Sequence, residues 1–298
     1  DPGLPYQRNR GLAHVRADVV FFPDDDSMLY PGTTEAIMRA YECDKDHSIS
    51  AVCTAASLTP PAEFPKEAGY EMSQEMKKQM RTTTIKNKFR KTFNSLDPIF
   101  YIGRSLMDRS ETPIWLKEEN CVLVEFMSGY RMSFRSDIIK NFRFNENLGE
   151  YAHCEDYDAS FSAAAYGAIV GARNGRIYHH KFPGARSSAF KMGVMRILNT
   201  SYVVLKHSRS DNQLPPSKKD AIKHVKTFCW VFQFMCIPRL RTSHGREFLR
   251  GFRAGVRNLN LLLKSHKHDL DESYQNAMSL ALSQPGADVH IDSKNYYE

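Results

Sequence analysis

The chain has 298 residues, with 42% hydrophobic and 25% charged, the composition of an ordinary soluble globular protein rather than a low-complexity or disordered one. The length fits one large α/β domain with an appendage, or two modest domains. A formal net charge of +7 and a pI near 9.0 fit an anionic ligand, an anionic membrane surface or nucleic acid, without choosing among them.

Six cysteines are scattered without a C-x-x-C pair, which resembles neither a disulfide framework nor a zinc site and points to a reducing cytosol. No apolar run opens the chain, so no signal peptide is read. Leu4 to Val20 already reads like the inside of a domain, and a further N-terminal segment is expected. Gln7 to His14 forms a short polar-basic helix or turn. Asp18-Val-Val-Phe-Phe-Pro then leads into Asp24-Asp25-Asp26, a buried strand stopping in three acids, followed by Pro31-Gly32. Three adjacent carboxylates repel one another, so a divalent cation or strong donors are needed to hold them close. A solvated acidic turn is the plain alternative.

Thr33 to Tyr41 has helical spacing, with Thr33 or Thr34 as cap, and Ser48 to Cys53 alternates like a strand. Glu71 to Lys91 is a basic helical stretch, read as a solvated face or as a contact with anionic lipid or substrate. Pro113-Ile-Trp115-Leu is an apolar patch that lines a site or packs. Cys121 to Phe126 reads as a strand and Ser136 to Phe142 as a helix. Glu155-Asp-Tyr-Asp158 opens a helix ended by Gly167, and Ala168 to Ala172 and Gly175 to Lys181 read as two strands. Ala189 to His207 is a helix. Phe228 to Ile237, bracketed by Lys223, Lys226, Arg239 and Arg241, is about ten residues long, against roughly 20 needed to span a bilayer. It reads as a packing segment or an interfacial membrane helix. Phe248 to Arg257 is a basic amphipathic helix, and the tail from Gln284 is polar. The basic residues are dispersed and form no nucleic-acid module, so no nucleic-acid partner is expected.

Four features occur in order: Gln7-Arg-Asn-x-Gly11; the strand ending in Asp24-Asp-Asp26 with Pro31-Gly32; Ser128-Gly129 with Phe134-Arg135; and Glu155-Asp-x-Asp158 followed by a strand ending in His179. This set resembles glycosyltransferase family 2, the inverting GT-A type, over roughly residues 3 to 190. The resemblance implies an α/β GT-A fold with a mixed sheet over residues 1–190, lacking the family's N-terminal strand-helix-strand unit, and a helical region over 191–298.

It further implies Mg²⁺ or Mn²⁺ held by Asp24, Asp26 and His179 (His180 the alternate) against the diphosphate of a UDP-, GDP- or dTDP-sugar. Asp26 is the direct ligand and Asp25 lies nearer the sugar or ribose. Asp156 is the general base, with Glu155 orienting it or contacting the acceptor, while Asp158 bonds backbone amides at the helix start. Arg8, Lys181 and Arg186 approach the donor, the last two from a loop closing over the diphosphate. Ser128, Gly129 and Trp115 approach a glycan or lipid-linked acceptor. The implied activity is metal-assisted, inverting sugar transfer in the cytoplasm or peripherally at the inner membrane face. A GT-A remnant that binds glycan or a partner without transfer is the alternative.

Overall fold

A computed structural model describes residues 3–62, 96–149, 152–180, 187–209 and 216–283. The basic stretch Glu71 to Lys91, the loop with Lys181 and Arg186, and the tail from Gln284 lie outside them. The fold is α/β around a six-stranded mixed sheet. The strands are β1 (Val19–Phe22), β2 (Ser27–Leu29), β3 (Ile49–Ser57), β4 (Cys121–Leu123), β5 (Met132–Arg135) and β6 (Ala168–His179). They run in the order β1-β5-β3-β6-β2, and β4 also pairs β6. β3 and β6 are parallel, while β5 is antiparallel to both β1 and β3, so β1, β3 and β6 point the same way.

The apolar run Val19-Val-Phe-Phe22 forms the outer strand of the described sheet, each residue half-buried. β3 is longer than its alternating sequence suggests, because Ala55 to Ser57 continue the pairing with β6. β4 is shorter and stops at Leu123. The two strands read at Ala168 to Ala172 and Gly175 to Lys181 are one strand. Its pairing jumps from Thr54↔Ala172 to Ala55↔Arg176, so Arg173-Asn-Gly175 bulge out of the ladder instead of turning the chain. One edge of β6 carries β4 near its start and β2 near its end.

Around the sheet lie α1 (Gly3–Leu12), α2 (Thr33–Cys43), α3 (Pro98–Met107), α4 (Ser136–Phe142) and α5 (Glu155–Ala163). Gly32 at φ 77° caps α2 with no side-chain bond. Of the two expected caps, Thr34 donates to Glu35 Oε2 (2.9 Å), and Thr33 donates to Arg176 O (2.8 Å) and accepts from Arg176 N (3.2 Å), tying α2 to β6 just beyond the bulge. The helical region comprises α6 (Ala189–Lys206), α7 (Lys218–Met235), α8 (Ser243–Lys264) and α9 (Leu270–Leu282).

These helices share a core with the sheet side. Ile99 and Ile102 of α3 and Phe161 of α5 belong to the same buried cluster as Phe190, Phe228, Phe252 and Tyr274. The buried packing is thus continuous across the expected boundary near residue 190. α6 and α8 touch backbone to backbone. A Cβ added at Gly251 would lie 1.9 Å from Phe190 O, and one at Gly193 2.1 Å from Phe248 O.

The apolar run 228–237 serves two environments. Phe228, Cys229, Phe232 and Cys236 are buried, whereas Trp230, Phe234, Met235 and Ile237 face out. Asn199, first residue of a glycosylation-type Asn-x-Ser, is buried, donating to His153 O (2.8 Å) and accepting from Tyr274 OH (2.8 Å). All six cysteines are free thiols.

Candidate active site

The candidate site forms where the acidic turn after β1 meets the end of β6. Past Phe22 the chain turns tightly, with Ser27 N donating to Asp24 O (3.0 Å), and returns as β2 against the end of β6, Ser27 opposite His179. His180 N donates to Asp26 O (2.9 Å), so backbone bonds fix the acidic turn to the strand end. Alternation along β6 directs His179 to the turn. Its Nε2 lies 3.0 Å from Asp26 Oδ1 and 3.8 Å from Asp24 Oδ2. One ligand atom from each of Asp24, Asp26 and His179 lies within 4.8 Å of the other two. All three side chains are partly accessible, and the His179 ring stacks on Tyr130 at 4.6 Å. Two carboxylates and an imidazole suit Mn²⁺ better than Mg²⁺, which prefers oxygen alone, and the open side leaves room for further ligands. Asp25 is exposed and outside this trio.

Behind the turn sits a buried cation. Arg8, on α1, donates from Nη1 to Glu155 Oε1 (2.5 Å), and from Nη2 to Asp24 Oδ1 (3.0 Å) and Gly129 O (3.3 Å). Its guanidinium also lies 5.3 Å from the Phe144 ring centroid. α1 is placed by Asn9, whose amide donates to Phe144 O and accepts from Phe144 N, both at 2.8 Å. Arg8 thus joins the acidic turn to the start of α5.

α5 begins with its acids in the first turn, where helix N–H groups favour negative charge. Glu155 is buried, its Oε2 has no hydrogen-bond partner, and burial raises its carboxyl to about 8 against the opposing pull of Arg8. Asp156 is more accessible; it accepts from Tyr157 N (2.9 Å) and Gly129 N (3.2 Å), and burial raises its pKa also. A raised carboxyl pKa brings a base nearer the range useful for accepting a proton at neutral pH.

The remaining expectations fare differently. Gly129 does join the set, but by bracing carboxylates: a Cβ there would meet Glu155 Oε1 at 3.0 Å. Ser128 precedes it on the same turn. Trp115 is not brought into the set; it packs, partly buried, against the cluster of Ile37, Tyr41 and Leu116. Lys181 and Arg186 lie outside the described residues. Asp158 does not bond backbone amides. Its buried carboxylate takes Lys206 Nζ (2.8 Å) and His207 Nε2 (2.7 Å) from the end of α6, and these partners hold its pKa below the usual carboxylate range against its burial. Sequence reading gave no role to Tyr130, or to Asn9 within the Gln7-Arg-Asn-x-Gly11 motif. Tyr130 sits beside the Ser-Gly pair, and Asn9 beside Arg8, so adjacency was the available signal.

Comparison of the chain with protein-family models gave no match, and comparison with curated proteins gave none either.

Proposed function

We propose that the chain is an inverting, GT-A-type glycosyltransferase that moves a sugar from a nucleoside-diphosphate sugar to an acceptor hydroxyl. The observation that carries the reading is the joining, through Arg8, of an Asp24–Asp26–His179 trio at a strand end to the Glu155–Asp156 pair at a helix start. Residues far apart in sequence supply both halves that such a displacement requires. When bound, Mn²⁺ or Mg²⁺ would neutralise charge developing on the departing diphosphate.

Asp156 takes the proton of the acceptor hydroxyl as its oxygen bonds to the anomeric carbon and the bond from that carbon to phosphate breaks. Glu155, held by Arg8, fixes the start of α5 and so the direction of Asp156. The His179–Tyr130 stack holds the imidazole toward Asp26. The donor is a UDP-, GDP- or dTDP-sugar, and the acceptor a glycan or lipid-linked saccharide.

Transfer and hydrolysis should be followed by nucleotide release from a panel of such donors, with Mn²⁺, with Mg²⁺ and with EDTA. Asp26→Ala and Asp156→Asn should each abolish turnover. Asp156→Asn should retain Mn²⁺-dependent nucleotide binding by calorimetry, and Asp26→Ala should lose it. Full activity in both variants would sink the reading. Glycan binding without metal-dependent nucleotide binding would favour instead a remnant acting as a binding module.

A further inference from the structure

The face of α7 turned away from the core carries a pattern that its packing does not use. Lys223, Lys226, Trp230 and Phe234 recur at steps of three and four residues, so they share one stripe of the helix. Ala221, Val225, Phe228 and Phe232 occupy the buried stripe. Trp230 is 66% exposed and Phe234 55% exposed, their rings in edge contact at 4.7 Å. Met235 and Ile237 extend the apolar surface past the helix end, with Ile237 54% exposed. From Ala221 to Arg246 the chain contains five Lys or Arg residues and no Asp or Glu.

We infer that this surface docks on an anionic lipid bilayer, with the helix lying in the interface rather than crossing it. No helix among the described residues is long and apolar enough to cross a membrane. An interfacial helix needs what α7 has: aromatic side chains on one face to enter the boundary between headgroups and acyl chains, and lysines beside them whose long stems reach up to phosphate. Tryptophan favours that boundary because its ring is apolar and its N–H polar. Each lysine near an anionic leaflet adds an attraction that salt screens. A bilayer of negative sign matches a stripe without acids, whereas a second copy of the chain would bring the same positive charge. The inference rests on this surface alone and is independent of the glycosyl-transfer reading.

Flotation of the full chain with vesicles of phosphatidylcholine, alone or mixed with phosphatidylglycerol, tests it. Binding should require phosphatidylglycerol and weaken as salt is raised. Trp230→Ser/Phe234→Ser and Lys223→Glu/Lys226→Glu should each weaken it by about tenfold or more. All these positions are exposed, so circular dichroism and melting should stay unchanged. In a Trp115→Phe background, Trp230 emission should shift to the blue on adding the mixed vesicles. No binding, equal binding to neutral vesicles, or undiminished binding by the aromatic variant would overturn the proposal. So would a dimer in solution, without vesicle binding, that the aromatic variant dissolves.

Discussion

Arg8 compensates two carboxylates with one charge, and the balance between them is measurable. Glu155 is buried with its carboxyl at about 8 against an ordinary 4.5, so the folded chain binds its proton more tightly than the unfolded chain does. Its stabilisation is fully present below pH 4.5 and is lost as pH rises through about 8. Asp156, raised by burial, acts in the same direction. Denaturant midpoints should therefore fall across that window, and Glu155→Gln should flatten the fall. A fall of equal depth in the variant would refute the assignment. The two neighbours differ in burial: Glu155 is enclosed, while Asp156 is partly accessible.

At the scale of elements, α5 is aimed by α6. Asp158 sits on α5 and holds the Lys206 and His207 side chains, closing the far end of α6 onto the helix that carries Asp156. Asp158→Ala leaves the Lys206 ammonium and the His207 ring beside a vacated buried site and should cost about 3 kcal/mol, read from urea midpoints at neutral pH. That partnership was invisible in the sequence, because the local pattern of acids at a helix start accounts for Asp158 without reference to residues 48 and 49 positions away. The strand at Val19 to Phe22 and the helix at Ser136 to Phe142 were legible to the residue, since composition and punctuation agree there. β6 was not, because Arg173-Asn-Gly175 is turn chemistry that the long pairing with β3 converts into a bulge. The acidic turn and His179 were legible as types of residue. Their convergence, and the place of Arg8 between them, came only from register and tertiary packing.

At the scale of the molecule, a core running from α3 and α5 through α6 to α9 ties the helical region to helices that flank the sheet. Unfolding should be a single transition, with the near-ultraviolet signals of Trp115 and Trp230 lost together with far-ultraviolet ellipticity. Two separated transitions would show that the regions are independent. Deleting residues 189–298 would strip the apolar cover from Ile99, Ile102 and Phe161, and the remaining chain should be aggregated or loosely packed. The α6–α8 crossing, where each backbone occupies the space a side chain would need, allows little sliding between α8 and α6, whose end holds Asp158 of α5.

Asp24 turns one oxygen to Arg8 and the other toward His179. It is therefore a symmetric linker as well as a negative charge. Asparagine has nearly the same outline but only one oxygen. Whichever way its amide is flipped, either Arg8 faces an N–H donor or the trio loses an acceptor. Asp24→Asn should thus behave as a cut in the chain of contacts, with Mn²⁺ affinity by calorimetry falling about as far as in Asp24→Ala. An asparagine matching the wild type would mean that the second oxygen is idle.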